Sequence, residues 1–77
     1  MKYLDGRAVI IGDEVALGGG HTGTVVCSID DKRGTSGFPI DDWAYLGRGI
    51  LIHSPQLGTL HFPEADADLV LLKRKGA

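Results

Sequence analysis

The chain has 77 residues, of which 43% are hydrophobic and 23% are charged, and its formal net charge at pH 7 is -2. A chain of this length folds as one domain, residues 1–77, with a thin core. It leaves little room for the deep cleft in which most enzymes hold a substrate, and its ordinary charge content excludes wholesale disorder, so we expect a folded, non-enzymatic protein.

Glycine is the outlier in the composition, with 12 residues and no collagen-like period. Glycines at irregular spacing are typical of tight turns between short strands, so the composition favours an all-β fold. The first turn is predicted at Asp5-Gly6, because an Asp-Gly pair between apolar residues is a strong local signal for a hairpin. We therefore predict a small first hairpin over Lys2–Ile11.

The second hairpin, over Gly12–Ile29, has the clearest strand signals. Alternating apolar residues predict strands at Glu14–Leu17 and Thr24–Ile29, joined by a glycine-dense turn at Gly18–Gly23. The alternation in the second strand predicts one shared face for Val25, Cys27 and Ile29. Since Cys27 is the single cysteine, it forms no internal disulfide, and its apolar neighbours predict an unreactive buried thiol.

A loop and a short helical segment follow. The segment Asp30–Gly37 contains no apolar residue and is predicted to be a solvated loop. The segment Phe38–Leu46 contains Pro39 near its start and the only tryptophan of the chain. It predicts a single turn of helix, for which Asp41 and Asp42 are candidate N-terminal caps.

Three further strands complete the predicted fold. They lie at Gly49–His53, Thr59–Phe62 and Leu69–Lys73, with an acidic bend at Glu64–Asp68 before the last one. Together with the second hairpin they make five principal strands. The predicted architecture is a small, partly open five-stranded barrel with one short helical turn.

The longest apolar runs, Ile50–Ile52 and Leu69–Leu72, are far shorter than a membrane span. The N-terminal residues MKYLDG also lack the apolar core of a signal peptide. We therefore expect a cytoplasmic protein that makes no membrane contact.

The three histidines do not predict a metal site. If the turn SPQLG pairs Ser54 with Thr59, then His53 and His61 point to opposite faces of their hairpin, because side chains alternate along a strand. A register shifted by one residue would place both imidazoles on one face, yet His21 is remote in sequence and no cysteine or carboxylate completes a tetrahedral set. We expect no metal and no other cofactor, and no side chain has the context of a catalytic nucleophile.

Charge placement favours a protein partner. Seven of the ten acidic residues lie in three predicted loops, namely Asp30, Asp31, Asp41, Asp42, Glu64, Asp66 and Asp68. Clustered carboxylates attract basic proteins and repel phosphates. Solubility alone also favours acidic loops. The three clusters together predict a basic protein partner and make nucleic acid a poor one, since phosphates need basic side chains.

Two aromatic residues lie beside the middle acidic pair. Trp43 and Tyr45 are two apart, so a helical turn spreads them and places one ring in the core. Tryptophan and tyrosine are enriched in binding hot spots, which makes Trp43 either an apolar anchor with an acidic rim or a core residue. The predicted partner-binding residues are Asp30, Asp31, Asp41, Asp42, Trp43 and Tyr45.

The glycine-rich hairpin, the long loop, the later hairpin and the closing strand together resemble a Src-homology-3-like barrel. The stretch GDEVALGGGHTGTVV is similar to the opening hairpin of KOW-type ribosomal and transcription-factor barrels. That resemblance implies nucleic-acid binding. KOW modules, however, carry lysine and arginine at the turn, where this chain has only His21.

The whole chain, from MKYLDG through VVCSID to WAYLGRGILI and GTLHF, also resembles small bacterial proteins found near polymorphic, contact-delivered toxins. This resemblance implies an immunity protein that neutralises a cognate toxin by occlusion. One alternative is a nucleic-acid or ribosome-associated barrel that uses Lys32, Arg33, Arg48 and the tail Lys73–Lys75. Another is an accessory subunit whose barrel edge pairs with another chain.

Overall fold

The computed structural model describes residues 1–75 and contains five strands and one short helix. The elements are β1 (Glu14–Gly18), β2 (His21–Ser28), α1 (Ile40–Trp43), a turn of 3-10 helix (Ala44–Leu46), β3 (Ile50–Ser54), β4 (Gly58–Phe62) and β5 (Val70–Lys73). The strands form one antiparallel sheet in the order β4-β3-β2-β1-β5. The predicted number of strands and the short helical turn are confirmed, while the sheet is open rather than closed on itself.

The first predicted hairpin is reduced to a single bridge between Lys2 and Ala8. Its turn lies at the predicted Asp5-Gly6 pair, where Gly6 has a φ of 93°. Over residues 1–75, no helix combines the length and the apolar content needed to cross a membrane.

The turn between β1 and β2 is shorter than the sequence predicts. Gly19 and Gly20 have φ values of 62° and 81°, which suits the tight turns that match the twist of two antiparallel strands. Consequently β2 begins at His21 and includes Gly23. Gly23 is needed at this place because a Cβ there would lie 2.5 Å from Cγ2 of Ile52.

A bulge in β2 divides its apolar residues between the two faces of the sheet. Val25 pairs with Ile52 and Cys27 pairs with Leu51, so Val26 is an extra residue in the ladder. An extra residue reverses the alternation of side chains beyond it. The prediction of one shared face for the apolar residues of this strand is therefore wrong.

The bulge gives the sheet a core on each face. The first core consists of Tyr3, Val9, Val15, Val25, Ile50, Ile52 and Leu69. The second consists of Cys27, Ile29 and Leu51, with Val26, Phe38, Ile40, Trp43 and Leu46 packed against it. Cys27 is buried as predicted, and burial raises the pKa of its thiol.

The helical segment covers the second core, but its start differs from the prediction. Pro39 is the N-cap residue of α1, with φ -66° and ψ 139°, and no side chain caps the helix. Asp41 and Asp42 lie inside the first turn, so the prediction that they are caps is wrong. The helix begins at Ile40, directly after the proline, and carboxylates in a first turn still interact favourably with the helix dipole.

The turn between β3 and β4 closes one residue earlier than the sequence predicts. Ser54 pairs with Gly58, not with Thr59. The buried Ser54 hydroxyl accepts hydrogen bonds from the backbone N–H groups of Gln56 and Leu57, at 3.2 and 3.1 Å, and so stabilises the tighter turn.

This register changes the faces of the two histidines. His53 pairs with Thr59 and His61 pairs with Leu51, so both imidazoles lie on the same face of the sheet. The predicted opposite orientation is wrong because it depends on the longer turn.

A fully buried carboxylate, Asp13, joins both ends of the chain to the sheet. Its Oδ2 accepts hydrogen bonds from the Tyr3 hydroxyl at 2.7 Å and from the Ile10 N–H at 3.0 Å. The Nε of Arg74 lies 3.3 Å from its Oδ1, an ion contact without hydrogen-bond geometry. Arg74 also donates to the carbonyl oxygen of Ala8 at 2.8 Å. Burial, and next the hydrogen bond to Asp13, raise the pKa of Tyr3.

We expect Asp13→Ala to lower the free energy of unfolding by about 3–5 kcal/mol, since it leaves Arg74 and the Tyr3 hydroxyl without their partner. Tyr3→Phe removes one hydrogen bond to a charged group and should cost about 1.5–3 kcal/mol. Urea unfolding followed by circular dichroism measures both changes. An Asp13→Ala variant as stable as the wild type would contradict the role given to this carboxylate.

Gly23→Ala should lower the free energy of unfolding by about 1–3 kcal/mol, because its methyl group would collide with Ile52. Gly37→Ala is the matched control, since no atom lies within 4 Å of a Cβ at that position. The control should change stability by less than about 0.5 kcal/mol. Thermal and urea unfolding measure the free energy of unfolding of both variants, and an equal loss in the two would contradict this explanation of Gly23.

Candidate functional site

All six predicted partner-binding residues lie in the connection between β2 and β3, residues 29–49. Ser28 at the end of β2 pairs with Ile50 at the start of β3, so this connection leaves and re-enters the sheet at the same end. Within it, Ile40, Trp43 and Leu46 pack on the second core. The opposite side of the same helical segment therefore faces outward.

Three side chains form that outward side, which we call the acidic tyrosine surface: Asp41, Asp42 and Tyr45. Residues three and four apart on a helical segment share one side of it, so Asp41 and Asp42 lie on the same side as Tyr45, away from the second core. Tyr45 is 77% exposed, the most exposed of the large hydrophobic side chains in residues 1–75. Neither carboxylate forms an ion pair within the described residues. Their charge is thus available to a partner.

Trp43 has a different position from Tyr45. It is partly buried against the second core, and its ring centroid lies 6.2 Å from that of Phe38. The side chain thus packs beneath the acidic tyrosine surface and supports it. The sequence leaves two roles open for Trp43, a core residue or an apolar anchor, and its contact with the second core supports the core role.

Asp30 has bonds within the fold. Its Oδ1 accepts a hydrogen bond from the Gly49 N–H at 3.0 Å, and its Oδ2 lies 3.2 Å from the amino group of Met1. The Gly49 N–H, and more weakly the Met1 amino group, hold the pKa of Asp30 below its usual value. This carboxylate therefore ties the two ends of the 29–49 connection together.

Asp31 is partly engaged as well. Its Oδ2 accepts a hydrogen bond from the hydroxyl of buried Ser28 at 3.0 Å. The side chain is otherwise exposed and lines a groove with Ile10 and Arg33. The Asp30–Asp31 pair is thus less available to a partner than the sequence suggests.

The carboxylates of the third acidic cluster, Glu64, Asp66 and Asp68, do not form one surface patch. Glu64 forms an exposed ion pair with Arg48 at 3.0 Å. Asp66 accepts hydrogen bonds from the N–H groups of Asp68 and Leu69 and so shapes its own turn. Asp68 lies beside Gly18, at the end of the sheet opposite the helical segment.

The basic residues of the nucleic-acid alternative are scattered and partly engaged. Arg48 pairs with Glu64, and Arg74 contacts buried Asp13. Lys32 and Arg33 remain exposed on the loop after β2. Lys73 and Lys75 are exposed at the end of β5, where they line a groove with Glu14.

Two apolar features of the surface are absent from the predictions made from the sequence. Val70 and Leu72 are exposed on β5, at one edge of the sheet, and Ile10 is exposed beside the groove of Asp31. The run of four apolar residues at 69–72 is a sequence signal for the exposed residues of β5, since strict alternation can bury only half of the run on one face.

Within residues 1–75, no three metal-ligating side chains lie together. No family model, curated protein or solved structure matches this chain. The acidic tyrosine surface is the part of the predicted site whose charges and aromatic ring are all directed outward.

Asp30→Asn tests the electrostatic role of that carboxylate. A carboxylate with a lowered folded-state pKa stabilises the protein above its ordinary pKa, and this contribution disappears as the pH falls through the folded-state value. Asp30→Asn should therefore be less stable than the wild type at neutral pH, with a difference that shrinks below the ordinary aspartate pKa of 3.8. Urea unfolding across pH measures this difference.

Asp42→Asn is the control for this test, because the Asp42 carboxylate has no ion partner within residues 1–75. It loses only the interaction with the helix dipole, so it should lower stability at neutral pH by less than about 1 kcal/mol. A difference between Asp30→Asn and the wild type that stays constant down to acid would contradict the electrostatic explanation.

Proposed function

We propose that this chain is a non-enzymatic protein-binding module that holds a basic partner against the acidic tyrosine surface. The observation that carries the proposal is the exposed Tyr45 ring on the same side of the helical segment as two carboxylates that have no ion partner in residues 1–75. An exposed tyrosine supplies contact area at low conformational cost. The neighbouring carboxylates supply attraction for lysine and arginine side chains.

The partner that fits this surface is a basic protein domain, and the activity that fits a chain of this size is inhibition by occlusion. An immunity protein needs no reactive group, because covering a toxin's active surface is sufficient. Together with the resemblance to small bacterial proteins near contact-delivered toxins, this supports a cytoplasmic immunity protein that binds without a cofactor. Asp30 and Asp31 would extend the negative rim along the loop after β2.

The finer fold that we propose is a partly open Src-homology-3-like barrel. Its support is the strand order, in which β1 lies between β2 and β5, and the curvature that the bulges in β2 and β5 provide. Such a scaffold displays its long connections at one end of the sheet, which agrees with the place of the 29–49 connection.

Reversing the charges of the acidic tyrosine surface tests the proposal. The double variant Asp41→Lys/Asp42→Lys should bind the basic protein encoded beside this chain with an association rate lowered about tenfold or more at low ionic strength. Tyr45→Ala should chiefly raise the dissociation rate, because it removes buried contact area. Surface plasmon resonance with the purified pair measures both rates.

Asp68→Lys is the charge control, since it adds positive charge at the other end of the sheet. It should leave both rates almost unchanged, and melting curves should show that every variant is folded. An unchanged association rate in the double variant would refute steering by this surface. Salt-sensitive retention of the wild type on RNA or DNA would favour the nucleic-acid alternative instead.

A further inference from the structure

The sheet has two edges, and their protection differs. β4 and β5 each have a single strand neighbour, so each has backbone groups on its outer side without a strand partner within residues 1–75. Exposed edges of this kind can pair with another strand, and proteins usually protect them with bulges, charges, proline or short length.

β5 has such protection. It is four residues long, it ends in Lys73, and Leu72 is an extra residue in its ladder with β1. A bulge twists an edge away from a straight incoming strand, and an edge lysine opposes the burial of that edge.

β4 is only one residue longer than β5, but it has neither a bulge nor a charged residue. Its sequence GTLHF has no proline and no charged lysine, arginine, aspartate or glutamate, and its five pairs with β3 run from Ser54↔Gly58 to Ile50↔Phe62 without a shift. A straight, neutral edge strand is a template for strand addition.

We propose that β4 pairs with β4 of a second copy of this chain, antiparallel about a two-fold axis at Leu60. In this register Leu60 opposes Leu60, Thr59 opposes His61 and Gly58 opposes Phe62 of the other copy. The inference does not rest on the proposed function, because the acidic tyrosine surface takes no part in it.

The side chains of β4 are self-complementary in this register. Leu60 and Phe62 are partly buried on the side of the first core, while Thr59 and His61 are exposed on the other side. Because opposed residues share a face, apolar side chains meet apolar ones and the threonine hydroxyl meets the imidazole. The aromatic ring of Phe62 covers a glycine, an arrangement that compensates for the missing side chain of Gly58.

Charge and symmetry also favour a second copy. The acidic residue nearest to the strand, Glu64, is already paired with Arg48, so two identical chains meet here without opposed unpaired charges. Pairing of β4 with β5 of the next copy would instead continue into an open fibre. The bulge and Lys73 of β5 oppose that assembly, whereas pairing of β4 with itself closes after two copies.

Sedimentation velocity over a wide range of protein concentrations tests the dimer. The wild type should sediment as a reversible dimer at high concentration. The variant Thr59→Glu/His61→Glu places like charges opposite each other, and its dimer dissociation constant should rise about tenfold or more. Thr59→Glu/His61→Lys places opposite charges at the same two sites, so it should dimerise nearly as well as the wild type.

The two variants share the same strand positions and both lose the hydrogen bond from the His61 ring to the Arg48 carbonyl oxygen, so a fold defect would affect both. Val70→Glu on the β5 edge should leave the dimer intact. A wild type that is monomeric at every concentration would overturn the proposal. Equal loss of dimer in both charge variants, or loss only in Val70→Glu, would overturn it as well.

Discussion

The single extra residue at Val26 is the constraint on which the rest of this fold depends. It turns Val25 to one face of the sheet and Cys27 to the other, so β2 is buried on both sides. The carbonyl oxygen of Val26 accepts a hydrogen bond from the Thr35 hydroxyl at 2.9 Å, which fastens the following loop to the bulge. Without the bulge, Cys27 and Ile29 would face the first core, and the helical segment would lose two of the three buried residues on which it packs.

The second constraint is the ion contact between buried Asp13 and partly buried Arg74. Burying the Asp13 charge is costly, and the cost is offset here by Arg74, the Tyr3 hydroxyl and the Ile10 N–H, while the carbonyl oxygen of Ala8 holds Arg74 in place. The contact holds the first and last segments of the chain against β1. It also engages one arginine of the basic tail, together with the one carboxylate of residues 1–75 that is fully buried.

The local features of the fold are predictable because they depend on neighbouring residues. An Asp-Gly pair, consecutive glycines and alternating apolar residues specify turns and strands within a few positions. The five strands, the short helical turn and the burial of Cys27 follow from such signals. The candidate site is predictable to the same extent: Tyr45, Asp41 and Asp42 do project outward, while Asp30 has bonds within the fold.

The sequence by itself determined the number and order of the strands, the segments that join them and the acidic character of the loops, since propensity, turn chemistry and charge are local properties. Only the tertiary structure decided which face each side chain occupies. The bulge at Val26 and the Ser54↔Gly58 pair each shift a ladder by one residue, and one residue reverses every face beyond it. The tertiary structure also decided which carboxylates remain available, because Asp13 and Asp30 meet their partners only after distant segments come together.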